Sequence, residues 1–234
     1  MHKLEPVQLT PRLLAIAEQV QPGARLADIG TDHAHLPIYL MQQGRIRTAI
    51  ASDIREGPLM RAHENAKKHG CLSQLSLRLG AGLERVRPAE CDTVSIAGMG
   101  GETIAGILHA APWTADGQHL LLLQPMTMVA ELRQALYRGG YAIEKESICR
   151  EEHHWYVVMA ARGGHTPQDK PLGACCISPA LLQAKGAEAY LRRLLERETR
   201  ALRGMEQARQ MDEVRLAEQK RTVRTLERGL EELA

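Results

Sequence analysis

The sequence predicts an α/β fold in which a mostly parallel sheet ends in an antiparallel hairpin and is followed by a pair of C-terminal helices. Three observations predict it. Up to about residue 165, short apolar runs alternate with amphipathic stretches, the pattern of strands covered on both faces by crossover helices. Two strand-like runs, Ala142 to Ile148 and Trp155 to Ala161, are then separated only by the polar Cys149 to His154 stretch, too short for a crossover helix. Beyond Ser178-Pro179, breakers become rare and apolar residues recur at heptad spacing.

Each element follows in order. Thr10-Pro11 reads as an N-cap with Pro at the first helical position, and Leu13, Leu14, Ala17 and Val20 repeat at helical spacing until Pro22-Gly23 stops them. A first strand is expected over Arg25 to Ile29 and a helix from about His33 to Gln43. A second strand over Arg47 to Ser52 precedes a helix from Pro58 to about His69. Leu75 to Leu79, Asp92 to Ala97 and Leu120 to Gln124 are the next strands, with helices over Glu102 to His109 and Val129 to Arg138. Gly163-Gly164 to Gly173, with Pro167 and Pro171, reads as a linker. Leu191, Leu195, Leu202 and Met205 then form one apolar stripe with Glu198 in its seam. Leu216, Val223, Leu226, Leu230 and Leu233 form a second with Gln219 in its seam. A polar turn around Gln210 to Glu213, with Asp212 as N-cap, makes the two helices antiparallel. The expected organisation is an α/β domain over 1–165, a linker over 166–177 and a two-helix coiled coil over 178–234.

Composition narrows the function classes. The net charge of +2 neither announces nor excludes a nucleic-acid partner, because local patches matter more than the sum. Aromatic residues make up 3% of the chain and Phe is absent, so base-stacking platforms are scarce. The five cysteines are odd in number and form no CxxC pair, which argues for a reducing compartment and against a disulfide frame or structural zinc. With no signal pattern and no apolar run of spanning length, a cytoplasmic protein without a membrane partner is expected.

Three loops carry chemistry. In Leu26-Ala-Asp-Ile-Gly-Thr-Asp-His33 a strand runs into a glycine turn and a helix. A dinucleotide site would want G-x-G-x-x-G, but only Gly30 is present, and Asp28 and Asp32 flank it. Two carboxylates repel a pyrophosphate and suit a ligand with an ammonium and a sulfonium, such as S-adenosylmethionine. A capped helix, with Asp32 as N-cap, is the purely structural alternative. Asp53, at the end of the second strand, is placed to accept hydrogen bonds from both hydroxyls of a ribose, a group that NAD shares. Ala97-Gly98-Met99-Gly100-Gly101 permits close backbone approach after the fourth strand; no G-K-[ST] follows, so it is not a P-loop. His33 and His35 stand two apart, which on a helix sends them to different faces, so no metal site is expected there. His153 and His154 are expected to be exposed.

At these residues the chain resembles the bacterial tRNA (adenine-22-N1)-methyltransferase family. Asp28-Ile-Gly-Thr-Asp-His-Ala-His-Leu-Pro37 is similar to its first motif and Ile96-Ala-Gly-Met-Gly-Gly101 to its fourth-strand signature. Glu56-Gly57-Pro58, Gly80-Ala81-Gly82-Leu83 and Leu123-Gln124-Pro125 match too. The resemblance implies a Rossmann-like class I methyltransferase sheet and methyl transfer from S-adenosylmethionine to N1 of an adenine in tRNA. It implies that Asp28, Gly30 and Thr31 hold the methionine part and Asp53 the ribose. Gly80, Ala81 and Gly82 would border the adenine, and Ala97, Gly98 and Met99 would face the methyl group. Ala81 departs from the family, which often has Asp there to contact the adenine amino group. Asp32 and His33 are the candidate catalytic residues, as the polar groups expected nearest the chemistry. A base is not obligatory, since N1 carries a free lone pair.

Competing readings are a methyltransferase for another RNA, a protein or a small molecule, a nicotinamide-dependent oxidoreductase, and a non-catalytic RNA-binding protein. For the helical pair, Arg192, Arg193, Arg197, Arg200, Arg203 and Arg209 suggest a tRNA-contacting arm, while interleaved acids suit a stability or dimerisation appendage. As an arm, it should be removable: deleting residues 175–234 is expected to spare cofactor binding.

Overall fold

A computed structural model describes residues 6–208 and 212–234. Arg209 and Gln210, expected in the arm and its turn, lie outside the described residues.

The strands are β1 (Ala24–Ile29), β2 (Ile46–Asp53), β3 (Leu75–Leu79), β4 (Thr93–Gly100), β5 (Leu120–Thr127), β6 (Ala142–Glu151) and β7 (His154–Arg162). They form one seven-stranded sheet in the order β3-β2-β1-β4-β5-β7-β6. β1 to β5 pair in parallel, and β7 runs antiparallel to both β5 and β6. The helices are α1 (Pro11–Ala17), α2 (His35–Gln42), α3 (Glu56–Lys68), α4 (Gly101–His109), α5 (Val129–Arg138), α6 (Pro179–Leu182), α7 (Ala187–Glu206) and α8 (Glu213–Glu231).

The strand pattern sorts the core into two layers. Leu121 and Leu123 of β5 face α4 and α5 in one cluster with Ile96, Ile104, Leu132 and Leu136. Leu120 and Leu122 face the other way and join Ile16, Leu26, Ile38 and Leu40, beside α1 and α2. Both faces are buried, as the continuous apolar runs required.

Several boundaries differ from expectation. α2 starts at His35 rather than His33, because His33 and Ala34 adopt left-handed backbone (φ 60° and 54°) before the helix. Ala34, not Asp32, is therefore the residue before the helix, and it offers no side-chain cap. In α1 the Thr10 hydroxyl does cap the Leu13 N–H, but Leu14 is exposed and Ile16 is the residue fully buried. The polar Cys149 to His154 stretch is mostly strand, since β6 runs to Glu151 and the chain turns over Glu152 and His153. β6 is an edge strand, so its far end needs no apolar residues.

Residues 166–177, expected as a linker, include a 3₁₀ turn over Leu172–Cys176 with both cysteines buried. The side chain of Arg133 in α5, 1% exposed, explains this anchoring. Its Nε and Nη2 donate to the two carboxylate oxygens of Glu146 at 2.9 and 2.8 Å. Its Nη1 donates to the carbonyls of Cys175 and Cys176 at 3.1 and 2.7 Å. The Ser178 hydroxyl donates to Glu146 Oε1 at 2.8 Å, completing a fully partnered buried network. The heptad stripes of α7 and α8 face each other, with Leu191 near Gly229 and Glu198 opposite Gln219, so the pair is antiparallel. The Gln219 amide donates to both the carbonyl and the carboxylate of Glu198 at 2.9 Å. The two expected seam exceptions thus satisfy each other.

Candidate functional site

In a parallel sheet, ligands bind outside the carboxyl ends of the strands where the strand order reverses. Here that point lies between β1 and β4, which carry the first and third of the three loops.

Next to the last residue of β1 stands Asp28, 7% exposed, whose Oδ2 accepts a 2.7 Å bond from the Thr31 hydroxyl. Burial pushes the Asp28 carboxyl up to about 6, against the pull of that bond. Gly30 turns the chain with φ 71°, and the N–H groups of Gly30 and Thr31 both donate to the Ser52 carbonyl, at 2.8 and 3.0 Å. A Cβ at Gly30 would meet the Met99 side chain, so the third loop lies directly over the first. The buried hydroxyl of Ser52, on β2 beside β1, has no hydrogen-bond partner among the described residues, while that of Ser95, on β4, bonds the Asp28 carboxyl and pulls its pKa down.

Asp53 is also buried, and its Oδ1 accepts the Arg55 N–H at 2.8 Å. Its carbonyl accepts the Gly80 N–H at 3.0 Å, which draws the Gly80–Gly82 loop against it. The Ala81 N–H donates to Glu84 Oε1 at 3.0 Å, bringing a carboxylate into that loop although residue 81 has none. Ile54 and Leu79, next to Asp53 and Gly80, are large apolar residues left 68% and 48% exposed. Sequence reading passed over both; an apolar residue directly after the acidic strand end was the available signal.

β4, expected to end at Ala97, continues as strand to Gly100. At Gly101 a Cβ would sit 2.1 Å from the Met128 carbonyl oxygen, so only glycine lets α4 start this close to the segment after β5. The Gly98 N–H donates to Gln124 Oε1 at 3.1 Å, and the same oxygen accepts Arg12 Nη1 at 2.9 Å.

Asp32 and His33 sit at the rim. The Asp32 side chain is 77% exposed and its carboxylate lies 3.2 Å from His33 Nε2. Among the described residues, no hydrogen bond or ion pair joins either to the Ala97–Gly101 segment. The rings of His33 and His35 stack at 5.4 Å rather than pointing apart, because His33 lies outside the helix. Burial and the nearby His33 lower the pKa of His35. His153 and His154 are exposed, as expected.

Apart from these loops, a cavity of about 910 Å³ opens between the segment after β5, the start of β7 and the helical pair, from Thr127 and Tyr156 to Arg193, Arg197, Arg200 and Arg215. Glu131, Glu196, Glu198 and Glu218 border it as well, so its wall is mixed in charge. Among the described residues, no helix is long and apolar enough to cross a membrane.

Known proteins match this architecture. A family profile described as a methyltransferase domain covers residues 9–159. The chain is 39% identical over 161 residues to a Bacillus subtilis protein named tRNA (adenine(22)-N(1))-methyltransferase, covering 69% of this chain and 68% of that one. The solved structure of the B. subtilis tRNA methyltransferase TrmK superposes with a TM-score of 0.84 at 31% identity, over 96% of this chain and 99% of that one. M. capricolum TrmK in complex with S-adenosyl-homocysteine superposes with a TM-score of 0.79 at 26% identity, over 97% and 99% of the two chains. With the sheet order, the loops and these matches in agreement, the chain belongs to the tRNA (adenine(22)-N(1))-methyltransferase family.

Proposed function

We propose that this chain transfers a methyl group from S-adenosylmethionine to N1 of adenine 22 in tRNA. The observation that carries the reading is Asp28, a carboxylate buried at the strand-order reversal beside a single-glycine turn. Such a group favours a cation and disfavours a pyrophosphate, which also weighs against a nicotinamide cofactor. The residues present fit S-adenosylmethionine. Asp28 and Thr31 would take the methionine end over the Gly30 turn, with the partnerless Ser52 hydroxyl and the Ser95 hydroxyl behind. Asp53 would take the ribose. Gly80, Ala81 and Gly82 would border the adenine, with Ile54 and Leu79 as apolar walls and Glu84 supplying the carboxylate that Ala81 lacks.

The cofactor, when bound, supplies a methyl carbon already activated by its sulfonium. The chain's own task is then alignment and exclusion of water, and orientation can contribute on the order of 7–11 kcal/mol. Ala97, Gly98 and Met99 would face the reacting centre, where their carbonyls favour the positive charge that develops on the adenine ring. At the rim, Asp32 would add negative potential and His33, beside it, would help close the site without either having to remove a proton. N1 lies on the pairing edge of its base, so the nucleotide must be splayed out to react. The α/β domain to about residue 165 would perform the chemistry and the helical pair would hold tRNA, in the cytoplasm where tRNA is made and used.

The test is methyl incorporation into an unmodified tRNA transcript and into the same transcript with guanine at position 22. Loss of incorporation in the second supports the assignment. Methylation that persists with guanine there, or that goes only to protein, overturns it.

A further inference from the structure

We propose that Arg12, Gln124 and Tyr156 form the subsite for the acceptor nucleotide, Tyr156 taking its base and Arg12 its phosphate. The inference rests on tRNA methylation as the reaction.

Gln124 is fully buried within β5, and both ends of its amide are committed. Its Oε1 accepts from Arg12 and from the Gly98 N–H, and its Nε2 donates to the Pro125 carbonyl at 2.8 Å. It has nothing left for a substrate, and it acts as a positioning residue that fixes a guanidinium beside the Gly98 turn. A Cβ at Gly98 would stand 3.2 Å from Arg12 Nη1. The cation is held by a neutral amide at Nη1, and Glu151 forms a longer ion pair with its Nε at 3.7 Å that offsets part of the charge. The Arg12 side chain keeps 21% exposure, enough for an anion to reach its free N–H groups.

Tyr156 completes the arrangement. Its ring centroid lies 5.7 Å from the Arg12 guanidinium carbon, and it lines the cavity leading to the helical pair. The chain has only seven aromatic residues, two Trp and five Tyr. The other six are buried or packed against the two cores; Tyr156 is half-buried outside them, next to the strand ends, and shares the cavity wall with Trp155. Its ring neighbour is the exposed His154, 6.2 Å away between centroids. A splayed base needs such a face, and stacking requires no particular base edge. Sequence patterns could not reveal the trio, because its members lie in α1, β5 and β7.

The experiment uses the full chain with an unmodified tRNA transcript. It measures kcat and KM, tRNA affinity at several salt concentrations, melting temperature and S-adenosylhomocysteine affinity. Tyr156→Leu is expected to lower kcat/KM for tRNA about ten- to a hundredfold, and Tyr156→Phe to restore it to within about threefold. Arg12→Gln is expected to weaken tRNA binding and reduce the slope of log affinity against log salt by about one. Arg12→Lys should keep that slope yet lose turnover, because it keeps the charge without the planar fork. Melting temperature and S-adenosylhomocysteine affinity should stay at the wild-type level in the Phe and Lys variants. An unchanged salt slope in Arg12→Gln, or Tyr156→Leu within about twofold of wild type, overturns the subsite while leaving tRNA methylation standing. A wild-type chain that fails to methylate tRNA overturns both.

Discussion

Asp28 is a carboxylate that the ligand-free fold disfavours as an anion. Its carboxyl has an ordinary value of 3.8 and is pushed up to about 6 by burial. The folded chain therefore holds this proton more tightly than the unfolded chain does. Stability falls as pH rises from about 4 to about 6 and stays lower above that. Asp28→Asn removes this penalty. Thermal melts of the ligand-free protein should show the variant more stable at neutral pH, by at most about 3 kcal/mol, with the gap closing toward pH 4. The same variant should lose S-adenosylhomocysteine binding in calorimetry, since the compensating cation has no partner. A variant that melts below wild type at neutral pH would mean that the carboxylate supports the empty fold. Glu84 gives a second test at this scale. Its bond to the Ala81 N–H is the one carboxylate hydrogen bond to that loop's centre among the described residues. Glu84→Ala should weaken S-adenosylhomocysteine binding roughly fivefold, the worth of one ordinary hydrogen bond. Unchanged affinity would remove Glu84 from the adenine pocket.

Between α7 and α8 the polar seam pair has a legible energetic role. Glu198 and Gln219 interrupt otherwise apolar stripes and satisfy each other at 2.9 Å. Glu198→Leu alone takes away the carboxylate but leaves the Gln219 amide its bond to the residue-198 carbonyl, and should lower stability by about 1 kcal/mol. Replacing both by Leu should recover that loss or exceed it, because a paired polar contact in a seam specifies register at the expense of stability. A double variant less stable than the single one would show that the pair stabilises the seam outright. Both seam positions were visible in the sequence because heptad spacing exposes a polar residue as a gap. The strands were visible for the same kind of reason: Leu120 to Leu123 has no polar residue to place on a wet face. The start of α2 was not visible, since nothing in the residue types of His33 and Ala34 announces left-handed backbone. Nor was the subsurface role of Arg133, because a charged residue in an amphipathic helix reads as solvated until its partners, 13 and about 42 residues away, are known. Asp28, Gly30 and Asp53 could be picked out because each stands at or beside a strand end, whereas Arg12 enters the site from an element the motifs do not include.

The helical pair and the sheet share one core, and this changes how the pair can be removed. Leu181, Tyr190, Leu191 and Leu226 belong to the same apolar cluster as Leu121 and Leu123. Cutting at residue 175 would expose that surface. It would also take from Arg133 the carbonyls of Cys175 and Cys176, and from Glu146 the hydroxyl of Ser178. Leaving buried charged groups without their hydrogen-bond partners costs about 1–3 kcal/mol each. Deletion of 175–234 should therefore yield an unstable protein whose failure to bind tRNA says nothing about which surface touches it. The informative deletion keeps the base of the pair and replaces residues 196–221 with a short turn. It retains Leu191 and Leu226 while removing Arg197, Arg200, Arg203 and Arg215. Cofactor-product affinity and the cooperativity of melting should be preserved. tRNA affinity should fall, and its salt dependence should become shallower by about one for each phosphate that the arm no longer neutralises. Intact tRNA affinity with an unchanged salt slope would leave the distal helices as a stabilising appendage and confine tRNA binding to the strand-end face.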